Sequence, residues 1–322
     1  MRLAALLPAA RDRLGVLCEA FSVRSRPVRR APETILMRII DKFSPEKPAF
    51  SMEFFVPKTP GGWRTLWRTV ENLREFEPTY VSVTYGAMGA QRGPAIETVL
   101  QLKHGHGLEA MAHITCVDHT REELRSLLDQ LRDGGVENVI ALRGDPRPGQ
   151  DRFEPLPGGL ANATEFIRFI EDEGYPFCVA AAAYPEMHPE SVDRAFDLAN
   201  LQAKLAAGAS FLVTQLFFDN AFYWDFVRRA RAAGIDVPIV PGIMPIINVE
   251  QIRRITAGCG ATIPARLENE LRRCQTPDDA LALGVRWATA QCADLLENGA
   301  PGIHFYTLNT SPATRMVLEA LG

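Results

Sequence analysis

The chain reads as one α/β domain, a (β/α)8 TIM barrel, and three observations carry that expectation. Eight apolar runs of strand length alternate with amphipathic stretches of helix length from residue 48 to the end. The links between the runs are long enough for right-handed crossovers between parallel strands, and none is a two-residue hairpin turn. Glycines stand just ahead of several runs, at Gly134-Gly135, Gly174, Gly208, Gly234 and Gly299, where helices would end. An open doubly wound sheet has the same periodicity, but no GxGxxG turn follows the first run.

In order, the expected strands are 49–55, an aromatic run around Glu53; 80–84, rich in valine and threonine; 109–115; 138–142, which stops at an Arg-Gly-Asp-Pro corner; 177–183; 211–216; 237–241; and 302–308. The helices between them are 63–76, 94–103, 121–132, 160–173, 190–207, 221–233 and 249–256. A longer link precedes the eighth strand, with a helix start at Thr276-Pro277-Asp278-Asp279 and a helix over 280–297. The last helix is 311–321. No repeat or linker marks a second domain, so the barrel is expected to span 48–322. Residues 1–47 are expected to be a poorly ordered N-terminal extension. Its first thirty positions carry seven arginines, and its short apolar run is broken by Pro8 and followed by Asp12 and Arg13 without a cleavage site. A later start at Met37 accounts for it better than a targeting peptide does.

Composition narrows the function. A formal net charge of -4 offers no basic excess for nucleic acid or an anionic membrane surface, and a small-molecule substrate fits better. No apolar run reaches bilayer length. Cys18, Cys116, Cys178, Cys259, Cys274 and Cys292 form no CxxC pair, which argues against a zinc or iron–sulfur site and for reduced thiols in a cytoplasm. No histidine or aspartate spacing suggests a metal site. Trp63, Trp67, Trp224 and Trp287 lie on helical stretches and suit a homo-oligomer interface as well as packing between helices.

In a barrel of this class the chemistry sits where strands end. Those ends carry Glu53, Thr84-Tyr85, His113, Arg143 with Asp145, Tyr184 with Glu186 and His188, Gln215, and Tyr306 with Asn309. Burial beside Phe54 or Phe55 would raise the pKa of Glu53 and keep a proton for general acid work. Pairing with an arginine such as Arg143 is the plainer alternative. Asp145 reads equally as a helix cap, and His113 and His188 as members of hydrogen-bond networks.

Eight segments in order, SMEFFVP (51–57), SVTYGA (82–87), AHITC (112–116), ALRGDP (141–146), AAYPEMHP (182–189), TQLFFD (214–219), PGIMP (241–245) and HFYTLN (304–309), resemble the signature series of methylenetetrahydrofolate reductases. The resemblance implies an FAD-dependent barrel that reduces 5,10-methylenetetrahydrofolate to 5-methyltetrahydrofolate by ping-pong hydride transfer from NAD(P)H through flavin N5. It implies Glu53 as the general acid at folate N10, which opens the ring to a 5-iminium cation. Asp145 would supply negative charge beside flavin and cation. It implies FAD contacts at Thr84, Tyr85, Ala87, His113, Arg143, Gly144, Asp145, Asn162, Ala163, Tyr184, His188, Asp197, Asn200 and Lys204. Substrate contacts fall at Glu53, Thr84, Asp145, Gln215 and Gln251. The chain departs from the pattern at Val56, at Asn162 where tyrosine is usual, at Ala203, at Ile255 where an aromatic is common, and at Thr310 where arginine is usual. Arg315 is then the candidate for the folate tail. Ending at Gly322, the chain is expected to lack feedback by S-adenosylmethionine. A flavin-binding barrel subunit of a larger redox complex is the alternative, and intact Glu53 and Asp145 favour the reductase.

Overall fold

The computed structural model describes residues 37–85, 92–146, 153–310 and 312–322. Eight parallel strands pair in chain order, and the eighth returns to the first to close the barrel. They are β1 (Ala49–Phe55), β2 (Tyr80–Thr84), β3 (Ala110–Thr115), β4 (Asn138–Leu142), β5 (Cys178–Ala183), β6 (Phe211–Leu216), β7 (Ile239–Ile243) and β8 (Gly302–Tyr306). Around them run α1 (Pro60–Arg74), α2 (Arg92–Leu100), α3 (Arg121–Asp133), α4 (Ala163–Asp172), α5 (Arg194–Ala206), α6 (Asn220–Ala232), α7 (Val249–Cys259), α8 (Ala265–Leu271), α9 (Pro277–Glu297) and α10 (Pro312–Leu321). The (β/α)8 TIM barrel expected from the sequence is the architecture found.

Short polar side chains set the helix starts, because the first turn leaves backbone N–H groups without carbonyl partners. Thr120 accepts from Glu123 N while Glu123 reaches back to Thr120 N, a capping box that starts α3; Leu124, Leu127, Leu128 and Leu131 then bury one face of that helix. Asn162, Asp193, Asp219 and Asn248 cap α4, α5, α6 and α7 more simply, each with a side-chain oxygen that accepts one first-turn N–H. These caps explain why α4 and α5 begin three to four residues later than the apolar pattern alone suggests.

Other boundaries also differ from the sequence expectation, three of them for a reason visible in the structure. The described part of the supposed extension, residues 37–47, belongs to the barrel unit. Ile39 is fully buried among Tyr80, Met111, Ile140, Cys178 and Phe211, and its N–H donates to Asn138 Oδ1 at 2.8 Å. Strand β7 lies two residues beyond 237–241, since the Val237 carbonyl is held by Arg231 at the end of α6 and pairing starts only at Ile239. Strand β8 stops at Tyr306 because Leu308 and Asn309 take left-handed backbone, φ 52° and 55°. The short helix α8 has no strong sequence signal, with Leu267 and Leu271 alone facing inward. Among the tryptophans, Trp63, Trp67 and His106 stack in a row, and Trp287 Nε1 donates to the Phe218 carbonyl.

Candidate active site

Strand register brings the inward-facing polar residues of β1, β3 and β8 together. Glu53 lies beside Tyr306, and Ser51 beside His304. Glu53 Oε2 stands 3.4 Å from His113 Nε2 and 3.5 Å from His304 Nε2, and the Glu53 side chain keeps 18% of its surface exposed. Ser51 Oγ is 2.8 Å from His304 Nδ1, which turns the other ring nitrogen toward Glu53. His113 Nε2 is buried and close to Glu53 without hydrogen-bond geometry.

Burial pushes Glu53 upward, as the sequence suggested. The hydrogen bond from His304 and the fields of His113 and His304 outweigh it, so the carboxyl sits below its ordinary value, a correction to that expectation. Burial drives His113 down to about 4 against the pull of Glu53. At neutral pH its ring is therefore uncharged. The Arg143 pairing is also corrected. Arg143 Nη1 and Nη2 donate to Glu190 at 2.5 and 2.8 Å and leave Glu53 to the histidines.

Backbone details hold this floor in place. Thr307 Oγ1 donates to the Glu53 carbonyl at 2.6 Å, and Asn309 pairs with Phe55 N and O as a strand neighbour would. Tyr306 donates to the Thr214 carbonyl, and a Cβ on Gly242 would lie 2.6 Å from the Tyr306 ring, so only glycine fits there. Gly144 has φ 91°, and a Cβ there would stand 2.3 Å from Val117 Cγ1.

Two neighbouring cavities open on these residues. One of about 670 Å³ is lined by Glu53, Thr84, Tyr85, His113, Arg143, Gly144, Asp145, Tyr184, His188 and Gln215, and also by Ile255, Cys259, His304 and Tyr306. The other, about 510 Å³, is lined by Arg143, Asn162, Ala163, Tyr184, His188, Asp197, Asn200 and Lys204, with Glu190 and Phe196. Both volumes fall in the range of small-ligand sites. Lys204 is brought down to about 8, burial outweighing the attraction of Asp197, while its Nζ donates to the Ala182 carbonyl.

Some expected residues stand apart. Gln251 lines neither cavity and lies in the first turn of α7, where its N–H is taken by Asn248. Ala87 lies outside the described residues. Asn162 spends its side-chain oxygen on capping α4, and Tyr85 directs its hydroxyl to His119. Arg315 is engaged by Glu75 and Glu319 between α10 and α1, away from both cavities, so the folate-tail role suggested for it has no support in its position. Reading the sequence left His304 and Glu190 without roles. His304 was visible two residues before Tyr306 on the same strand face; nothing local signals that Glu190 meets Arg143.

A family model described as methylenetetrahydrofolate reductase matches residues 38–322. The chain belongs to this family. Methylenetetrahydrofolate reductase (NADH) 1 of Arabidopsis thaliana is 36% identical over 301 residues, 89% of this chain and 51% of the plant protein. The 5,10-methylenetetrahydrofolate reductase of Salmonella typhimurium is 35% identical over 273 residues, 84% of this chain and 90% of the bacterial protein. The chain thus spans about half the length of its plant relatives and most of its bacterial ones. A Clostridium thermocellum protein solved with two copies of 5-methyl-5,6,7,8-tetrahydrofolic acid shares the fold, with TM-score 0.57 at 15% identity over 88% of this chain and 95% of that one. Among the described residues no helix is long and apolar enough to cross a membrane.

Proposed function

We propose that this reductase-family chain reduces 5,10-methylenetetrahydrofolate to 5-methyltetrahydrofolate, drawing hydride from NADH or NADPH by way of bound FAD. The observation that carries the reading is a buried carboxyl, Glu53, set between two imidazoles on the floor of a ligand-sized cavity at the barrel's C-terminal end. The residues present fit such a cofactor. The first cavity has room for a fused ring, and the second adds Lys204 to the Arg143 they share, two cations suited to a diphosphate. A bound flavin supplies the two-electron hydride transfer that no side chain offers.

Glu53 delivers the proton that folate N10 needs to leave as an amine, and one proton enters the site in each turnover. Filling the cavity with ligand removes water from the exposed part of the Glu53 side chain, the direction that raises its pKa. Ser51 fixes the His304 ring with its other nitrogen facing Glu53, which holds the carboxyl in place at the cavity floor. Asp145, exposed at the Arg-Gly-Asp corner of the same cavity, supplies negative charge as the folate cation forms. Thr84 and Gln215 offer a hydroxyl and an amide to the substrate from the wall.

Anaerobic titration followed in the visible spectrum tests this reading. The purified protein is expected to be yellow, to bleach with NADH or NADPH alone, and to recolour on adding methylenetetrahydrofolate. NADH, which the plant relatives carry in their names, is the first to try. A yellow protein that neither nucleotide bleaches would favour the subunit of a larger redox complex instead.

A further inference from the structure

Arg143 stands at the neck between the two cavities, lining both together with Leu142, Ala182, Tyr184 and His188. Its guanidinium is already engaged. Two nitrogens meet the two oxygens of Glu190, Nε donates to the Gly144 carbonyl at 3.1 Å, and the Phe153 ring lies 5.3 Å from Cζ. Glu190 itself reaches in from the rim of the second cavity, its side chain 51% exposed. A carboxylate with both oxygens on a guanidinium occupies the positions that two phosphate oxygens would take. A ligand with a diphosphate between two bulky ends, laid across both cavities, brings that diphosphate to this neck.

We propose that Glu190 is a displaceable stand-in for ligand phosphate: its carboxylate holds Arg143 in the free protein, and an incoming diphosphate takes Arg143 over and releases Glu190 to solvent. This deepens the flavin reading and rests on it. The bridge is half exposed, so its loss costs the fold little. Its cost falls on the ligand, which must break one ion pair to form another. Glu190 therefore weakens the binding of phosphate-bearing flavins in particular, and a flavin without phosphate, which leaves the bridge alone, is indifferent to it.

The test measures dissociation constants of the apoprotein for FAD and riboflavin by quenching of flavin fluorescence, in wild type, Glu190→Gln, Glu190→Ala and Arg143→Gln. Both Glu190 variants should bind FAD about tenfold more tightly, the order of a single charge-assisted contact, with riboflavin unchanged. With Arg143→Gln in place, adding Glu190→Gln should bring no further gain. Wild-type protein that binds FAD with no gain, or with a loss, in both Glu190 variants overturns the displacement and leaves the flavin reading standing. An equal gain for riboflavin also overturns it. Failure of the wild type to bind either flavin overturns both.

Discussion

The two ends of the barrel use the same ingredients with different slack. At the N-terminal end the Glu109 carboxylate takes Lys103 Nζ at 3.2 Å and Asn138 Nδ2 at 2.7 Å, and Glu137 takes Lys103 from the other side. Asn138 also receives Ile39 N–H and donates to the Met37 carbonyl, so one amide ties three segments together. At the C-terminal end Glu53 lies 3.4 and 3.5 Å from its two histidines and faces a cavity. A buried polar group whose bonds are all made adds stability and specifies one structure. One left at the limit of hydrogen-bond distance retains bonding capacity for a ligand.

The largest expected effect tests the loose end. Glu53→Gln keeps the shape and removes the transferable proton, so reduction of methylenetetrahydrofolate should fall by about 10²–10⁴-fold, the range typical of a positioned general acid. Flavin reduction by NADH or NADPH, which needs no such proton, should persist. Stopped-flow measurement of the two half-reactions separates them, and near-normal folate turnover would remove Glu53 from its proposed role.

The tight end is tested by Asn138→Ala. Losing that amide leaves Ile39 N–H, the Met37 carbonyl and part of the Glu109 carboxylate to find water, at a cost of about 1–3 kcal/mol. Urea denaturation should show the loss while the half-reaction rates at the other end hold. A variant as stable as wild type but slow in catalysis would break the contrast between the two ends.

How far these ends could be read in advance differs for the same reason. Strand β1 and the turn at Arg143-Gly144-Asp145 were legible because local pattern decides them: an aromatic run in one case, glycine and proline in the other. The Ile39–Lys42 turn was missed because four residues hold no periodicity, and its place depends on Asn138, 99 positions away. Glu190 on Arg143 is the same kind of long-range choice. The pKa of Glu53 went the wrong way in prospect because burial is visible in SMEFF, whereas the histidines of β3 and β8 that oppose it come into reach only when the barrel closes.

The smallest effect concerns the second cavity, where Lys204 titrates near 8. Burial disfavours its ammonium form, so the charge is present below about pH 8 and is lost above it. A diphosphate beside Lys204 favours the charged form, so the bound state holds the proton to higher pH than the free state. Between those two values FAD affinity should fall as pH rises, by at most about tenfold per unit. Other groups in the cavity do not imitate the step: Tyr184 is pushed up to about 12 by burial, and burial together with Arg143 holds His188 below its ordinary value. Binding isotherms for FAD between pH 7 and 9.5 should therefore weaken in wild type and run flat in Lys204→Met, with riboflavin flat in both. A wild-type FAD affinity that does not change over that interval would mean that Lys204 never meets the ligand's charge, and that Arg143 alone carries the diphosphate.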